Sequence, residues 1–172
     1  VISRANKRLS IEKLGVLFGR KIMNIDTINL LQGIDNLAFG MEKSSIVAAL
    51  GNEYDEEIDE SGDIHLEYSK IGLEFTFWSD EGFRLGIISS NRDTLTLCEK
   101  CLIRKRKEEI RLFVKEELNS VISEADGCDH EDGLIQEWIY VDSLWVSFWF
   151  QNDSLYQVDW MCDWVDNENP KW

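Results

Sequence analysis

Two cysteines three positions apart are the first residues whose spacing suggests chemistry. Cys98 and Cys101 have the spacing of half a zinc site, in which thiolates bind the ion. A complete site needs a second pair, whereas Cys128 and Cys162 lie far apart in the sequence. The strand–CxxC–helix context of a redox motif is also missing. The sequence therefore predicts reduced structural thiols, no metal site and no cofactor.

Histidine, the usual general base, occurs twice. His65 lies in a predicted strand, and His130 lies in GCDHEDG, two positions after Cys128. A thiol and an imidazole this close in sequence rarely orient for proton transfer. The segment DGCDHEDG lacks the alternating ligands and the terminal glutamate of an EF-hand loop. We therefore expect a protein that is not an enzyme, and a small enzyme or metal-binding protein is the alternative.

Tryptophans in predicted strands are the other chemically distinctive residues. LWVSFWF (144–150) alternates, so Trp145, Ser147 and Trp149 share one face and the Leu, Val and Phe residues share the other. LEFTFW (73–78) repeats this pattern, with Glu74 and Trp78 in its polar set. Because the helices should cover the Leu, Val and Phe face, Trp78, Trp145 and Trp149 are predicted to lie on an open sheet face.

The strands that follow extend both faces. We expect an inward set of Leu85, Ile87, Tyr156, Val158 and Trp160, and an open set of Gly86, Ile88, Gln157, Asp159 and Met161. Tryptophans within a polar rim are typical of protein-recognition sites. In the alternative interpretation, the tryptophans form ordinary core between the two halves or within a homodimer. A register slip of one residue would exchange the two faces.

The elements that position these strands occur twice in the same order: helix, acidic loop, two strands, turn, strand. Ser44 or Ser45 should cap the first helix, which Gly51 ends. NEYDEEIDESGD then carries seven acids and is predicted to be a loop. The second half shows helical spacing at Ile103, Ile110, Val114, Leu118 and Val121, followed by an acidic loop over 124–132. Overlaying 73–87 on 144–158 places Trp78 on Trp149.

These patterns predict an α+β protein of two similar units. Each unit would be a helical segment packed on an antiparallel sheet, and the sheets would combine into one concave face. We expect a basic extension and lead-in over 1–33, a first unit over 34–95 and a second over 96–172, within one compact domain. No apolar run reaches the ~20 residues that span a bilayer, and no signal-peptide pattern is present, so we expect a cytoplasmic protein.

The net charge of −15 restricts the partners. Residues 1–35 hold six bases and three acids, so the remaining chain is more acidic still. Such a body repels nucleic acid and anionic membranes and attracts basic proteins. The basic block RKRKEEIRLFVK (104–115) is better interpreted as a solvated helix face with pairs such as Lys105–Glu109. A basic protein is the predicted partner; acidity that serves only solubility is the alternative.

The predicted partner-binding residues fall into three groups. The anchors are Trp78, Trp145 and Trp149. The neighbouring positions on the sheet face are Glu74, Gln157, Asp159, Met161 and Asp163. The flanking acidic loops contribute Glu56, Glu57, Asp59, Asp129, Glu131 and Asp132.

A family resemblance covers about residues 34–165. The chain resembles the tandem-repeat β-lactamase-inhibitor-protein fold in the order of its elements. That order, given twice, is a helix, Leu-Gly, an acidic loop, and then strands with the pattern EY, GLEFTFW, G and I. Its second half departs from the pattern at Ile122-Ser123 and at Ser143. The residues that carry the resemblance are Gly40, Leu50-Gly51, Glu67-Tyr68, Gly72-Leu73, Phe77, Gly82 and Ile87.

The resemblance implies a concave, aromatic sheet that grips a partner protein. An acidic, cytoplasmic member of this kind is similar to immunity proteins of contact-dependent or polymorphic toxin systems in bacteria. Such proteins commonly neutralise toxin nuclease domains, whose clefts are basic. By this analogy the partner is a cognate toxin nuclease domain, and carboxylates take the place of nucleic-acid phosphates.

Overall fold

A computed structural model describes residues 26–129, 135–164 and 170–172 of the chain. Within these ranges it contains two α-helices and thirteen β-strands, all strand pairs within the sheets being antiparallel. The α+β class predicted from the sequence is confirmed. The elements in chain order are β1 (Ile28–Asn29), β2 (Gly33–Ile34), β3 (Leu37–Ala38), α1 (Lys43–Leu50), β4 (Asp55–Ile58), β5 (Ile64–Tyr68), β6 (Leu73–Trp78), β7 (Arg84–Ser90), β8 (Thr96–Leu97), β9 (Lys100–Cys101), α2 (Lys107–Glu116), β10 (Ser123–Asp129), β11 (Ile135–Val141), β12 (Val146–Gln151) and β13 (Ser154–Met161).

Eight strands form one sheet in the order β10-β11-β12-β13-β7-β6-β5-β4. Strands β4 to β7 make a meander in one half, and β10 to β13 make a meander in the other. The last strand of each meander pairs with the last strand of the other at the centre, where Asp159 lies opposite Ser89. Strands β1 to β3 form a three-stranded ribbon, and β8 pairs with β9.

A single apolar core lies on one side of the large sheet. Phe75, Phe77, Phe148 and Phe150 are fully buried in it. Ile46 from α1 and the α2 residues Ile110, Phe113 and Val114 belong to the same buried cluster, as does Ile34 from the ribbon. Both helices therefore cover the same face of the sheet, which leaves the alternate strand residues on the other face.

The start of α1 differs from the prediction, and its end agrees with it. The helix begins at Lys43, with Glu42 as its N-cap and no side-chain hydrogen bond there. Ser44 and Ser45 lie inside the first turn, so neither is the cap. Gly51 ends the helix at φ 94°, and its N–H donates to the Val47 carbonyl. Glycine adopts this positive φ without steric cost, so the predicted stop is confirmed.

Helix α2 is shorter than the apolar spacing predicted. It spans Lys107–Glu116, so the flanking apolar residues predicted with it lie outside: Ile103, Leu118 and Val121. Its first turn is fixed by Glu109, which accepts a hydrogen bond from the Arg106 backbone N–H at 3.0 Å. The predicted pair of Lys105 and Glu109 is present at 3.0 Å.

Both predicted acidic loops contribute edge strands instead. Residues Asp55–Ile58 form β4 and Ser123–Asp129 form β10, at opposite ends of the large sheet. Every residue of β4 is exposed. An edge strand needs partners on one side only and leaves its side chains in water, so a charged segment can extend a sheet that it could not enter at the centre.

Two β-bulges change the predicted faces of the later strands. The register of β6 and β7 shifts between Thr76 and Phe77, so Ile88 is buried and Ile87 is half-buried, the reverse of the prediction. The register of β12 and β13 shifts between Trp149 and Phe150. A bulge adds one residue to a strand and inverts the alternation beyond it.

The second bulge and a short turn explain where the second half differs from the prediction. Leu155 is buried at the start of β13, while Tyr156, predicted to face inward, is half-buried. Val158 and Trp160 are buried as predicted. Leu144 and Trp145 precede β12 in a 3-10 turn, so the strand begins at Val146. Leu73 opens β6 whereas Leu144 does not open β12, so the ungapped overlay of the two segments is wrong.

An ion pair fastens α2 to the core side of β11. Lys107 Nζ lies 3.4 Å from Glu137 Oε2, and Lys107 is only 7% exposed. We expect Glu137→Gln to lower the free energy of unfolding by about 1–3 kcal/mol, because a buried ammonium loses its counter-charge. Lys107→Met should cost less, since it removes the charge together with its need for a partner. Urea unfolding measures both; equal losses would show that the charge pairing is unimportant.

Candidate functional site: the open face of the sheet

A line of aligned residues crosses the open face of the sheet. The strand register places Asp55 opposite Glu67, Glu67 opposite Glu74, and Glu74 opposite Ser89. Ser89 in turn lies opposite Asp159. Directly opposed side chains in antiparallel strands have Cβ atoms about 4.5–5.5 Å apart. Three carboxylates, Asp55, Glu67 and Glu74, therefore stand side by side on adjacent strands; we call them the acid row.

A groove of about 550 Å³ opens beside the acid row at the edge of the sheet. The structure brings together here four residues that the sequence predicted, and adds three that it did not. The groove is lined by the predicted Glu56, Glu57, Asp59 and Glu74 together with Asp55, His65 and Glu67. Glu56 also forms an ion pair with Lys43 of α1 at 2.6 Å, so its charge is already compensated.

His65 bridges two carboxylates of this groove. Its Nε2 lies 3.2 Å from Asp59 Oδ2, and its Nδ1 lies 3.2 Å from Glu74 Oε1. Burial alone would lower the pKa of His65, but the hydrogen bonds to Asp59 and Glu74 and their negative charges outweigh it and raise that pKa above 6.5. The same hydrogen bond to His65 holds the pKa of Asp59 below its usual value.

The contacts of His65 include a hydroxyl group. Thr76 Oγ1 lies 3.1 Å from His65 Nδ1, which gives an Asp–His–Thr sequence of contacts. Thr76 is only 6% exposed, and Glu74 shares the same imidazole nitrogen. A nucleophile must reach its substrate. This arrangement positions side chains on the sheet and presents no accessible nucleophile at Thr76.

The other half of the open face carries two neighbouring tryptophans, which we call the aromatic pair. Trp138 of β11 and Trp149 of β12 lie opposite each other, with ring centroids 5.2 Å apart and ring planes at 35°. The indole N–H of Trp149 donates to Asp159 Oδ2 at 2.5 Å. Gln157 Nε2 donates to Asp159 Oδ1 at 2.8 Å. The predicted anchor Trp149 is thus held in place by two other predicted residues.

Asp159 differs from a freely solvated acid. Burial raises its pKa, hydrogen bonds from Gln157, Ser89 and Trp149 act in the opposite direction, and the charge of Glu74 adds to the rise. Its oxygens already accept hydrogen bonds from Trp149 and Gln157 within the chain. Within the chain Asp159 therefore fixes the Trp149 ring, and its role as a charge for the partner stays a prediction.

Trp78 and Trp145 lie in a separate group, the tryptophan cluster, with Trp164 and Trp172. Ring centroids are 5.4 Å apart for Trp78 and Trp164, 6.3 Å for Trp145 and Trp164, and 6.1 Å for Trp78 and Trp172. The Trp78 ring lies over Gly86: a Cβ at residue 86 would be 2.3 Å from Trp78 Cδ2. Trp145 has φ 50° at the end of its 3-10 turn, so it does not share the alternation of Ser147 and Trp149.

Asp163, which the sequence predicted to supply charge to the partner, contacts the C-terminal segment of its own chain. Its carboxylate accepts a hydrogen bond from the Trp164 backbone N–H at 2.9 Å and lies 3.4 Å from Lys171 Nζ. Met161 is half-buried on the open face opposite Ile87. The side chain of Asp129, and all of Glu131 and Asp132, lie outside the described residues.

The sequence did not identify the side chains that contact the predicted residues within the fold. Asp55, His65 and Glu67 complete the acidic groove, Trp138 completes the aromatic pair, and Trp164 connects the tryptophan cluster. One signal was available: in IHLEY, His65 and Glu67 alternate with Leu66 and Tyr68, which are both buried. This places both polar residues on the open face.

The CxxC segment forms the turn of the hairpin between β8 and β9. Cys98 and Glu99 occupy the turn with φ 51° and 62°, and Cys98 and Cys101 are exposed free thiols. Cys101 Sγ donates to the Asp93 carbonyl oxygen at 3.0 Å. Within residues 26–129, 135–164 and 170–172, no group of three or more His, Cys, Asp or Glu residues is placed to hold a metal ion.

The contribution of the His65 contacts to the stability of the fold should depend on pH. A histidine whose folded pKa is raised stabilises the fold fully below its unfolded pKa, near 6.5, and this contribution disappears as the pH rises through the folded value. We expect the free energy of unfolding to fall across this window and His65→Gln to flatten that fall. Urea unfolding between about pH 5.5 and pH 8.5 provides the measurement. Identical pH profiles for both proteins would contradict the assignment.

Comparison with known proteins gives one structural similarity and no family. No protein-family model matches the sequence, and no curated protein matches it. The chain is similar to the crystal structure of an extracellular protein containing an SCP domain from Bacillus anthracis str. Ames, with a TM-score of 0.45 and 12% sequence identity. The match covers 72% of this chain and 44% of that protein.

In the part of the chain that the structure describes, no helix has the length and apolar character needed to cross a bilayer.

Proposed function

We propose that this chain is a stoichiometric protein-binding inhibitor, specifically an immunity protein that neutralises a basic toxin nuclease domain made by the same bacterium. It would act in the cytoplasm without catalysis or a cofactor. The observation that carries the proposal is the position of the acid row and the aromatic pair on one sheet face, opposite the face that packs on the helices. Aromatic anchors next to unneutralised charge favour tight binding to an oppositely charged protein.

We further propose that residues 34–95 and 96–172 are two similar units whose meanders join into one concave binding surface. The central pairing of β7 with β13 is compatible with this arrangement, because each half contributes four consecutive strands. In each half a 3-10 turn ends in a residue of positive φ, Gly72 at 60° and Trp145 at 50°, just before the third strand. The units would then correspond by matching Leu73 with Val146.

Capture from a bacterial lysate tests the proposed function. Purified protein serves as bait at low and moderate salt in a lysate of the bacterium that carries the gene, beside Trp149→Ala. Leu112→Ala is the matched control, because Leu112 is 47% exposed and belongs to α2 on the opposite side of the sheet. We expect wild type and the Leu112 variant to retain one basic protein and the Trp149 variant to lose it.

Titration of the captured protein decides the function. If it is a nuclease, its activity should fall linearly and end at one inhibitor per toxin domain. Equal retention by the Trp149 variant and the wild type would remove the aromatic pair from the interface. A captured protein without toxic activity would contradict the immunity function, and a homodimer dissociated by Trp149→Ala would favour a structural module.

A further inference from the structure

The acid row lacks the compensation that other acids of this chain receive. Glu42, Glu53 and Glu56 each form an ion pair with a lysine or arginine. Among the described residues, no lysine or arginine forms an ion pair with Asp55, Glu67 or Glu74, and the imidazole of His65 contacts Glu74 at 3.2 Å. Like charges directly opposite each other destabilise a sheet. The fold therefore retains a repulsion that a bound cation would relieve.

A polar pocket continues the acid row toward the centre of the sheet. It has a volume of about 300 Å³, and Glu67, Glu74, Ser89, Asn91 and Gln157 are among the residues that line it. Two carboxylates, two amides and a hydroxyl line this one space and offer several hydrogen-bond acceptors. A cation that carries many N–H donors in a plane fits such a pocket better than the compact ammonium of lysine. The guanidinium of arginine carries five N–H donors in a planar fork.

The aromatic pair stands next to this pocket. Gln157 lines the pocket and lies opposite Trp149 in the sheet register. Asp159 fixes the Trp149 indole through the N–H, so its ring is oriented before any partner arrives. A guanidinium stacks on an aromatic ring while its edge donates to carboxylates, and a lysine ammonium has no plane to stack.

We propose that the open face recognises arginine side chains of a basic protein segment, with one guanidinium between Glu67 and Glu74 and a second stacked on the aromatic pair. This inference rests on the proposed function, since it names the chemistry that the inhibitor reads in its partner. It also fixes the orientation of the partner: its most basic part lies over β5 and β6, and a stacking arginine lies over β11 and β12.

Peptide binding tests the selectivity directly. Hexa-arginine and hexa-lysine contain no tryptophan, so both can be titrated by the protein's own tryptophan fluorescence and by calorimetry at about 20 and 150 mM salt. We expect hexa-arginine to bind about tenfold more tightly than hexa-lysine. Trp149→Leu should remove most of that preference while it changes hexa-lysine affinity by less than about threefold, because a planar guanidinium gains stacking as well as cation–π attraction from the ring and an ammonium gains the weaker attraction only.

A matched pair of charge variants separates a built site from general attraction. Glu67→Gln/Glu74→Gln removes two charges from the acid row and pocket. Glu99→Gln/Glu116→Gln removes two charges from exposed positions on the β8–β9 hairpin and α2. We expect the first pair to weaken hexa-arginine binding at least tenfold at 150 mM salt, and the second pair less than about twofold.

Glu67→Gln alone should raise Tm by about 1–3 °C, because it relieves like-charge repulsion.

The outcomes distinguish this inference from the proposed function. Equal affinity for the two peptides, or equal losses in the two charge pairs, would overturn arginine recognition even if the protein inhibits a nuclease. Failure to inhibit any toxin, together with the expected peptide results, would overturn the proposed function and support the docking chemistry. A dimer that excludes both peptides and dissociates on Trp149→Leu would assign the face to a second copy and overturn the inference.

Discussion

Replacing Trp149 with alanine is expected to weaken binding of the captured partner by about 2–4 kcal/mol, which is about 30- to 1000-fold. Trp149 combines a large apolar ring with a fixed orientation, because its N–H donates to Asp159 and the Trp138 ring stands 5.2 Å away. Alanine removes the contact area and leaves a half-buried carboxylate without one of its donors. Calorimetric titration of the partner measures the loss.

Two further variants identify the cause of that loss. Trp149→Phe keeps a ring and removes the N–H, so it should lose less affinity than alanine if the ring is the anchor. Leu112→Ala should stay within about 0.5 kcal/mol of wild type, because Leu112 belongs to α2 on the other side of the sheet. If Trp149→Phe and Trp149→Ala were equally weak, the hydrogen bond to Asp159 would matter more than the ring.

The strand faces could be predicted wherever the alternation was uninterrupted. In β12, Val146, Phe148 and Phe150 are buried, and Ser147 and Trp149 are half-buried, as the alternation predicts. The prediction failed at Ile87, Ile88 and Tyr156, which lie beyond bulges. A bulge depends on how a strand pairs with its neighbour, and no pattern within one strand shows that pairing.

The acid row could not be predicted for the same reason. The sequence IHLEY places Glu67 on the open face, and LEFTFW places Glu74 there as well. Only the register brings these two carboxylates opposite each other and adds Asp55 from a segment that the sequence presented as a loop. The high local charge correctly indicated that the residues of β4 are exposed to solvent. It did not indicate that their backbone forms a strand, because an edge strand and a loop are equally open to water.

The tryptophans form two separate groups in the structure, and the sequence did not predict this separation. The sequence grouped Trp78, Trp145 and Trp149 as one set of anchors. The structure places Trp149 with Trp138, and it places Trp78 and Trp145 around Trp164. Trp145 leaves the strand because its positive φ ends a 3-10 turn, a conformation that is uncommon for a bulky residue. The binding surface that we propose therefore depends on Trp149 and much less on Trp145.

Replacing Trp160 with alanine should cause a large loss of stability, about 3–5 kcal/mol. Trp160 is fully buried between Val146 and Ile88 in the sheet, and its indole N–H donates to the Gly33 carbonyl oxygen at 3.0 Å. This contact fastens the β1–β3 ribbon to the core side of β13. Alanine leaves a large cavity and removes this donor from the Gly33 carbonyl. Urea unfolding measures the change, with Val121→Ala, which is 84% exposed, as the neutral control.

Trp160→Phe separates the packing of this side chain from its hydrogen bond. Phenylalanine fills most of the volume and cannot donate to Gly33, so it should cost about 1–3 kcal/mol. Asp159 and Met161 flank Trp160 on the strand and face the other side of the sheet, so the folded Phe variant should bind the partner within about threefold of wild type. A loss of binding as large as that of Trp149→Ala would mean that the core side of β13 controls the geometry of the open face, and that Trp149 is not an independent anchor.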